Sequence, residues 1–126
     1  VPDGIFLAFI FGDLNGLKRI NDTQGHEAGD HLLQQAVRHM KALSGDNAVF
    51  RMGGDEFMVI ARNASEQQAQ QLVRELLARY RSSGISMALG VVVCQTPIAN
   101  IDEVLSQADR KMYTDKERIY TSWRHS

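Results

Sequence analysis

Seven apolar residues without alternation, Ile5 to Phe11, open the chain's pattern and predict a central strand covered on both faces. A polar stretch, Gly12-Asp13-Leu14-Asn15-Gly16, predicts a turn at the strand's C-terminal edge. A short helix over about 17–22 follows, then a loop, Thr23-Gln24-Gly25-His26. A longer helix is predicted over 28–43, because Leu32, Leu33, Ala36, Val37, Met40 and Leu43 recur at helical spacing. Ser44-Gly45-Asp46-Asn47 breaks it. Ala48-Val49-Phe50 and Phe57 to Ala61 read as two strands joined across Gly53-Gly54, a hairpin whose glycines are expected to take φ > 0. Ser65 with Gln68 predicts a capping box, opening a helix with Ala69, Leu72, Val73, Leu76, Leu77 and Tyr80 on its inner face. Ser82-Ser83-Gly84 ends that helix. Ile85 to Cys94 is a further strand, in which Gly90 marks a bulge or a close backbone contact, and Thr96-Pro97 closes it. Asn100 and Glu103 repeat the capping pattern ahead of a last helix with Ile101, Val104, Leu105, Ala108 and Met112 inward. Ile119 to Trp123 is read as an edge strand. The order β-α-α-β-β-α-β-α is that of the split βαβ, ferredoxin-like α+β fold, with a mostly antiparallel central sheet flanked by helices.

At 126 residues the pattern describes one domain over 1–126, with no internal repeat or linker. A net charge of −1, with scattered Lys and Arg, argues against a nucleic-acid track. No apolar run approaches the roughly 20 residues of a membrane span. Cys94 stands alone, so an internal disulfide is excluded and a buried thiol is expected. Val1-Pro2-Asp3-Gly4 leads almost at once into a core strand, which is expected of a piece cut from something longer.

In the split βαβ order the end of the first strand lies beside the hairpin, so Asp13 is expected near Asp55 and Glu56. Three carboxylates so close would repel one another without a cation. Oxygen ligands favour Mg²⁺ or Mn²⁺ over zinc, and Mg²⁺ completes its shell with phosphate and water. Gly16, before the short helix, and Lys18 in its first turn offer an N–H and a charge to phosphates. Neither a P-loop nor a G-x-G-x-x-G pattern is present. Asn21 and Asp30 together could read a guanine edge, the amide bonding N3 or O6 and the carboxylate accepting from N1–H and N2–H₂. Taken singly, Gly53-Gly54-Asp55 reads equally as a turn, Asn21-Asp22 as a helix end, His26 as a loop or capping residue, Asp30 as a helix cap, and Lys116 as a solvated charge at a helix end.

Two long motifs weight the first reading. Phe11-Gly12-Asp13-Leu14-Asn15-Gly16-Leu17-Lys18-Arg19-Ile20-Asn21-Asp22-Thr23-Gln24-Gly25-His26-Glu27-Ala28-Gly29-Asp30 and Arg51-Met52-Gly53-Gly54-Asp55-Glu56-Phe57 resemble the GGDEF family of bacterial diguanylate cyclases. Ser86-Met87-Ala88-Leu89-Gly90 and Ala108-Asp109-Arg110-Lys111-Met112-Tyr113 with Lys116 extend the likeness. The resemblance implies a nucleotide-cyclase palm fold and Mg²⁺-dependent condensation of two GTP into cyclic di-GMP at a homodimer interface, within a cytoplasmic signal-transduction protein whose membrane anchoring, if any, lies elsewhere. It implies metal binding by Asp13, the Leu14 carbonyl, Asp55 and Glu56, with Asp55 as proton acceptor and Glu56 assisting. Lys18 and Lys116 would hold phosphates, and Asn21, His26 and Asp30 would line the guanine end. Its alternative is a catalytically silent GTP-binding or dimerising module.

Three features depart from the family pattern. The usual leading helix with its Asp-x-Leu-Thr-x-Leu-x-Asn-Arg motif has no counterpart. Ser44-Gly45-Asp46-Asn47 replaces the Arg-x-x-Asp inhibitory signature. Tyr120 stands where an Arg follows the phosphate Lys by four, and Arg118 would face another side of a helix.

Overall fold

A computed structural model describes residues 5–45, 47–96 and 98–124. The expectations at Val1 to Gly4, Asp46 and Pro97 fall outside those residues.

The elements are β1 (Phe6–Leu14), α1 (Leu17–Gln24), α2 (His26–Ser44), β2 (Ala48–Arg51), β3 (Glu56–Arg62), α3 (Glu66–Ser82), β4 (Met87–Gln95) and α4 (Ile101–Arg124). The sheet order is β2-β3-β1-β4, with every pairing antiparallel. This is the predicted α+β architecture. The strand covered on both faces is β1, flanked by β3 and β4.

Alternation along the strands divides the core in two. Ala8, Ile10 and Leu14 of β1 face α2 and α3, joining Phe57, Val59, Met87, Leu89, Met40, Leu76 and Tyr80. Tyr80, 1% exposed, donates its hydroxyl hydrogen to the Ala36 carbonyl at 2.7 Å and so ties α3 to α2. Phe9 faces the other way, with Met58, Val92 and Ala108 of α4. Asp13 falls on that second face.

Several boundaries differ from expectation. β1 runs on through the predicted turn to Leu14, because Asp13 pairs with Glu56 on one side and Ala88 on the other. The loop predicted over 23–26 shrinks to Gly25, whose φ of 94° turns α1 into α2 without a longer linker. Gly90 sits in unbroken register opposite Phe11, so it marks a close approach of α4 rather than a bulge. β4 starts at Met87, two residues late, because the Ile85 N–H closes α3 on the Tyr80 carbonyl at 2.8 Å. Ile101, expected inward, is 43% exposed at the first position of α4. Cys94 is half-buried rather than buried.

The largest correction concerns the C-terminal end. The edge strand predicted over 119–123 is helix: α4 continues to Arg124. No Gly or Pro interrupts Ile101 to Arg124, so nothing stops helix propagation once the Ala108–Met112 stripe has docked. Lys116 therefore lies well inside a helix, not at its end. The two expected caps are present: Ser65 and Gln68 form a reciprocal box, and Asn100 Oδ1 accepts from Glu103 N at 3.2 Å. Among the described residues no helix is long and apolar enough to cross a membrane.

Candidate active site

The site grows from the C-terminal end of β1. Asp13 is carried there on the α4 face, its side chain only 7% exposed, and α4 brings Lys116 onto it with Nζ 2.7 Å from Oδ2. The other carboxylate oxygen, Oδ1, is buried with no hydrogen-bond partner. Asp55 closes the site from the hairpin, where its backbone carbonyl accepts from the Leu14 N–H at 2.9 Å. Burial pushes the Asp13 carboxyl up to about 6; the Lys116 hydrogen bond opposes this, and the charge of Asp55 adds to it. Burial acts to lower the Lys116 ammonium, but the Asp13 hydrogen bond and charge outweigh it and hold the lysine above its ordinary value.

Only part of the expected three-carboxylate cluster assembles. Glu56 lies across from Asp13 in the ladder, yet its side chain is exposed. Among the described residues no three His, Cys, Asp or Glu side chains gather as a metal-binding group. What meets at the strand end is an Asp13–Lys116 ion pair with Asp55 beside it.

The hairpin itself forms differently from prediction. Neither Gly53 nor Gly54 has a positive φ. The loop is instead held by Arg51, whose guanidinium donates to the Gly53 carbonyl at 3.1 Å and the Gly54 carbonyl at 2.8 Å. A Cβ on either glycine would meet nothing within 4 Å, so the bare backbone faces open space. These glycines leave room for an approaching group rather than permit a strained turn.

Two clefts flank this centre. One, of about 580 Å³, is lined by Gly16, Lys18, Asp55, Lys116, Tyr120 and Trp123 among others, and so gathers Lys18, Lys116 and Asp55. The second, of about 450 Å³, is lined by Asp30, Leu33, Gln34, Val37, Arg51 and Phe57. His26 is exposed at the start of α2 and lines neither cleft. Asn21 also lines neither; its amide lies over Gly29, where a Cβ would overlap Oδ1 and come within 2.9 Å of Cγ.

Some positioning residues were given no separate role by the sequence. Asn15 clamps the end of β1 to the start of β4 through Nδ2 to Ser86 Oγ at 3.1 Å and its own N–H to the Ser86 carbonyl at 2.9 Å. Asp115 Oδ2 accepts from the Leu89 N–H at 3.0 Å, and Lys111 Nζ donates to the Val91 carbonyl at 3.3 Å. These contacts protect the edge of β4 and fix the rotation of α4 that aims Lys116 at Asp13. The i, i+4 spacing of Lys111 and Asp115 was the one available clue. Arg118, as expected, turns away and pairs with Asp115 Oδ1 at 2.7 Å. Tyr120 turns inward, and its hydroxyl accepts the Gly16 N–H at 3.0 Å.

Comparison with known proteins agrees with this fold. The sequence profile of the family described as diguanylate cyclase, GGDEF domain, matches residues 3–120. The signaling protein YkoW of Bacillus subtilis strain 168 is 32% identical over 91% of this chain and 16% of its own length. The diguanylate cyclase DgcP of Escherichia coli K12 is 30% identical over 90% of this chain and 36% of its own. The chain thus spans well under half the length of these curated relatives. Among solved structures, the GGDEF domain of PA1120 (YfiN or TpbB) from Pseudomonas aeruginosa superposes with a TM-score of 0.80 at 30% identity, covering 90% of this chain and 77% of that one. With sequence profile and fold in agreement, the chain belongs to the family described as diguanylate cyclase, GGDEF domain.

Proposed function

We propose that this domain condenses two GTP molecules into cyclic di-GMP, releasing pyrophosphate, with Mg²⁺ or Mn²⁺ as cofactor. The observation that carries the reading is the buried Asp13 carboxylate, paired with Lys116 and with Asp55 beside it, where Asp55 and Lys116 line a cleft together with Lys18. The orphaned Asp13 Oδ1 fits a divalent cation, since a buried carboxylate oxygen without a partner is costly to leave unmatched. Asp13 and Asp55 would hold the ion, with the Leu14 carbonyl as a further donor and Glu56 assisting from the exposed side. Bound there, it would neutralise polyphosphate charge and lower the pKa of the attacking hydroxyl.

In this reading Lys18 and Lys116 take phosphate oxygens, and Asn21, His26 and Asp30 serve the guanine end. Asp55 accepts the proton from a ribose 3′-hydroxyl as its oxygen attacks the α-phosphorus of the other GTP and the bond to pyrophosphate breaks. The step occurs twice to close the ring. One domain holds one GTP, so two domains meet face to face in a symmetric homodimer, at least transiently. GTP as substrate argues for the cytoplasm. A second reading, a silent GTP-binding or dimerising module, is favoured by one observation: Lys116 and the Gly16 N–H are already occupied by Asp13 and Tyr120.

The deciding experiment incubates the protein, enforced as a dimer, with GTP and Mg²⁺ and assays cyclic di-GMP by chromatography. Product that disappears in Asp55→Ala supports the cyclase; GTP bound without turnover assigns the silent module. A separate expectation concerns Gly29. Its substitution by Ala drives a methyl into the Asn21 amide, so GTP affinity measured by calorimetry falls about tenfold while thermal stability holds, the better helix propensity of Ala offsetting the displaced contact.

A further inference from the structure

The last turns of α4 do something the predicted edge strand could not. Lys116, Tyr120 and Trp123 recur at i, i+4 and i+7 and share the helix face turned to the larger cleft. Each touches a group that the phosphate end of a nucleotide would use. Lys116 is held by Asp13 at 2.7 Å and lies 5.8 Å from the centroid of the Tyr120 ring. The Tyr120 oxygen accepts the Gly16 N–H at 3.0 Å, and Gly16 is the N-cap of α1 with φ 77° and no side-chain cap. Trp123 packs edge-on against Tyr120, centroids 4.8 Å apart, and its ring edge reaches to 3.8 Å from where a Gly16 Cβ would stand. The amide at the positive end of α1 therefore meets a neutral phenol backed by an aromatic wall.

We propose that Tyr120 is an internal plug of the phosphate subsite: its hydroxyl takes the Gly16 N–H that a phosphate oxygen would otherwise accept, and Trp123 holds the ring there. The nucleotide must displace this contact, so Tyr120 sets the affinity of the domain for the polyphosphate. Shape makes this workable. A phenol is uncharged and its bond to a backbone amide is modest, so an anion with a charge-assisted bond wins the exchange. Continuation of α4 past Lys116 brings the ring into range, and this follows from the absence of a helix breaker before Arg124.

The proposal rests on the GTP reading of the cleft, and the test separates the two. Tyr120→Phe keeps the ring and its packing on Trp123 and removes only the oxygen. Calorimetric titrations of the wild-type protein and Tyr120→Phe with inorganic pyrophosphate, GTP and ATP, with Mg²⁺ present, read the affinity. Amide hydrogen exchange at Gly16, without nucleotide, reads the contact. The plug requires that Tyr120→Phe bind pyrophosphate and GTP about five- to tenfold more tightly, the worth of one displaced neutral hydrogen bond, and that Gly16 exchange faster. A merely structural hydroxyl gives the opposite sign, weaker binding. Weaker or unchanged binding, or unaltered Gly16 exchange, overturns the plug even where GTP is preferred over ATP. Tighter pyrophosphate binding without preference for GTP sustains the plug and removes the guanine reading instead.

Discussion

Asp13→Asn is expected to give a folded protein that has lost Mg²⁺ binding and, under the cyclase reading, cyclic di-GMP formation by on the order of a thousandfold. Asparagine matches the shape of aspartate in a site 7% exposed but offers a cation one neutral oxygen in place of a carboxylate. Lys116 loses its counter-charge in the same stroke. The pH dependence distinguishes this from a general loss of structure. The Asp13 carboxyl is raised by burial from 3.8 to about 6, so between those values the folded protein binds a proton that the unfolded chain releases. Its contribution to stability is therefore full below pH 3.8 and declines as pH climbs to 6. Lys116, held above its ordinary 10.5, contributes stability that is lost only as pH rises past that value. Denaturant unfolding from about pH 3 to pH 12 should show both slopes in the wild type, the acid one from Asp13 and the alkaline one from Lys116, and lose both in Asp13→Asn. Calorimetry on the wild type should show Mg²⁺ affinity climbing as pH crosses about 6, because the metal competes with that proton. A variant that binds Mg²⁺ as tightly as the wild type would remove Asp13 from the metal site.

The fold was largely legible because its signals were local. The apolar run of β1, the helical stripe through Leu33, Ala36 and Met40, and the Ser65–Gln68 box each specify their element within a few residues. Errors gathered where a tertiary partner decided the outcome. Asp13 and Leu14 read as turn residues, but ladder partners on both sides held them in the strand. Ile119 to Trp123 is rich in β-branched and aromatic residues, yet it extends an uninterrupted helix instead of starting a strand.

The site was legible by residue type and less so by geometry. Lys18, Asp55 and Lys116 line one cleft, and Asp13 pairs with Lys116 beside it. The occupancy of Asp13 by Lys116 was not readable, since it depends on the rotation of α4, set by Asp115 and Lys111 against the edge of β4. Gly29 carried no signal alone; its role exists only in relation to Asn21 eight residues earlier. Gly53 and Gly54 were located correctly but for a different reason: their backbone is unstrained, and what matters is the open space around them.

Gly90→Ala is expected to be the most destabilising single substitution of a glycine, costing about 3 kcal/mol or more. An added methyl would lie 2.6 Å from the Ala108 carbonyl oxygen and 2.8 Å from the Lys111 carbonyl carbon, with the Met112 amide nitrogen closer still. All three are backbone atoms of α4, so no rotamer change relieves the overlap. The helix must lift from β4, opening the cluster of Phe9, Met58, Val92 and Ala108. Gly12 provides the comparison within the same sheet. A methyl there would meet Leu89 Cδ2 at 3.0 Å, Met40 Cε at 3.5 Å and Met87 Sδ at 3.5 Å, ends of side chains that can shift by tenths of an ångström. Gly12→Ala should cost about 1 kcal/mol or less. Denaturant midpoints at constant m-value would measure both. Lifting α4 also draws Lys116 off Asp13, so Gly90→Ala should erase the alkaline stability slope that Gly12→Ala retains. Equal midpoints for the two variants would mean that α4 rides on β4 with slack, and that the Lys116–Asp13 pair is not set by helix docking.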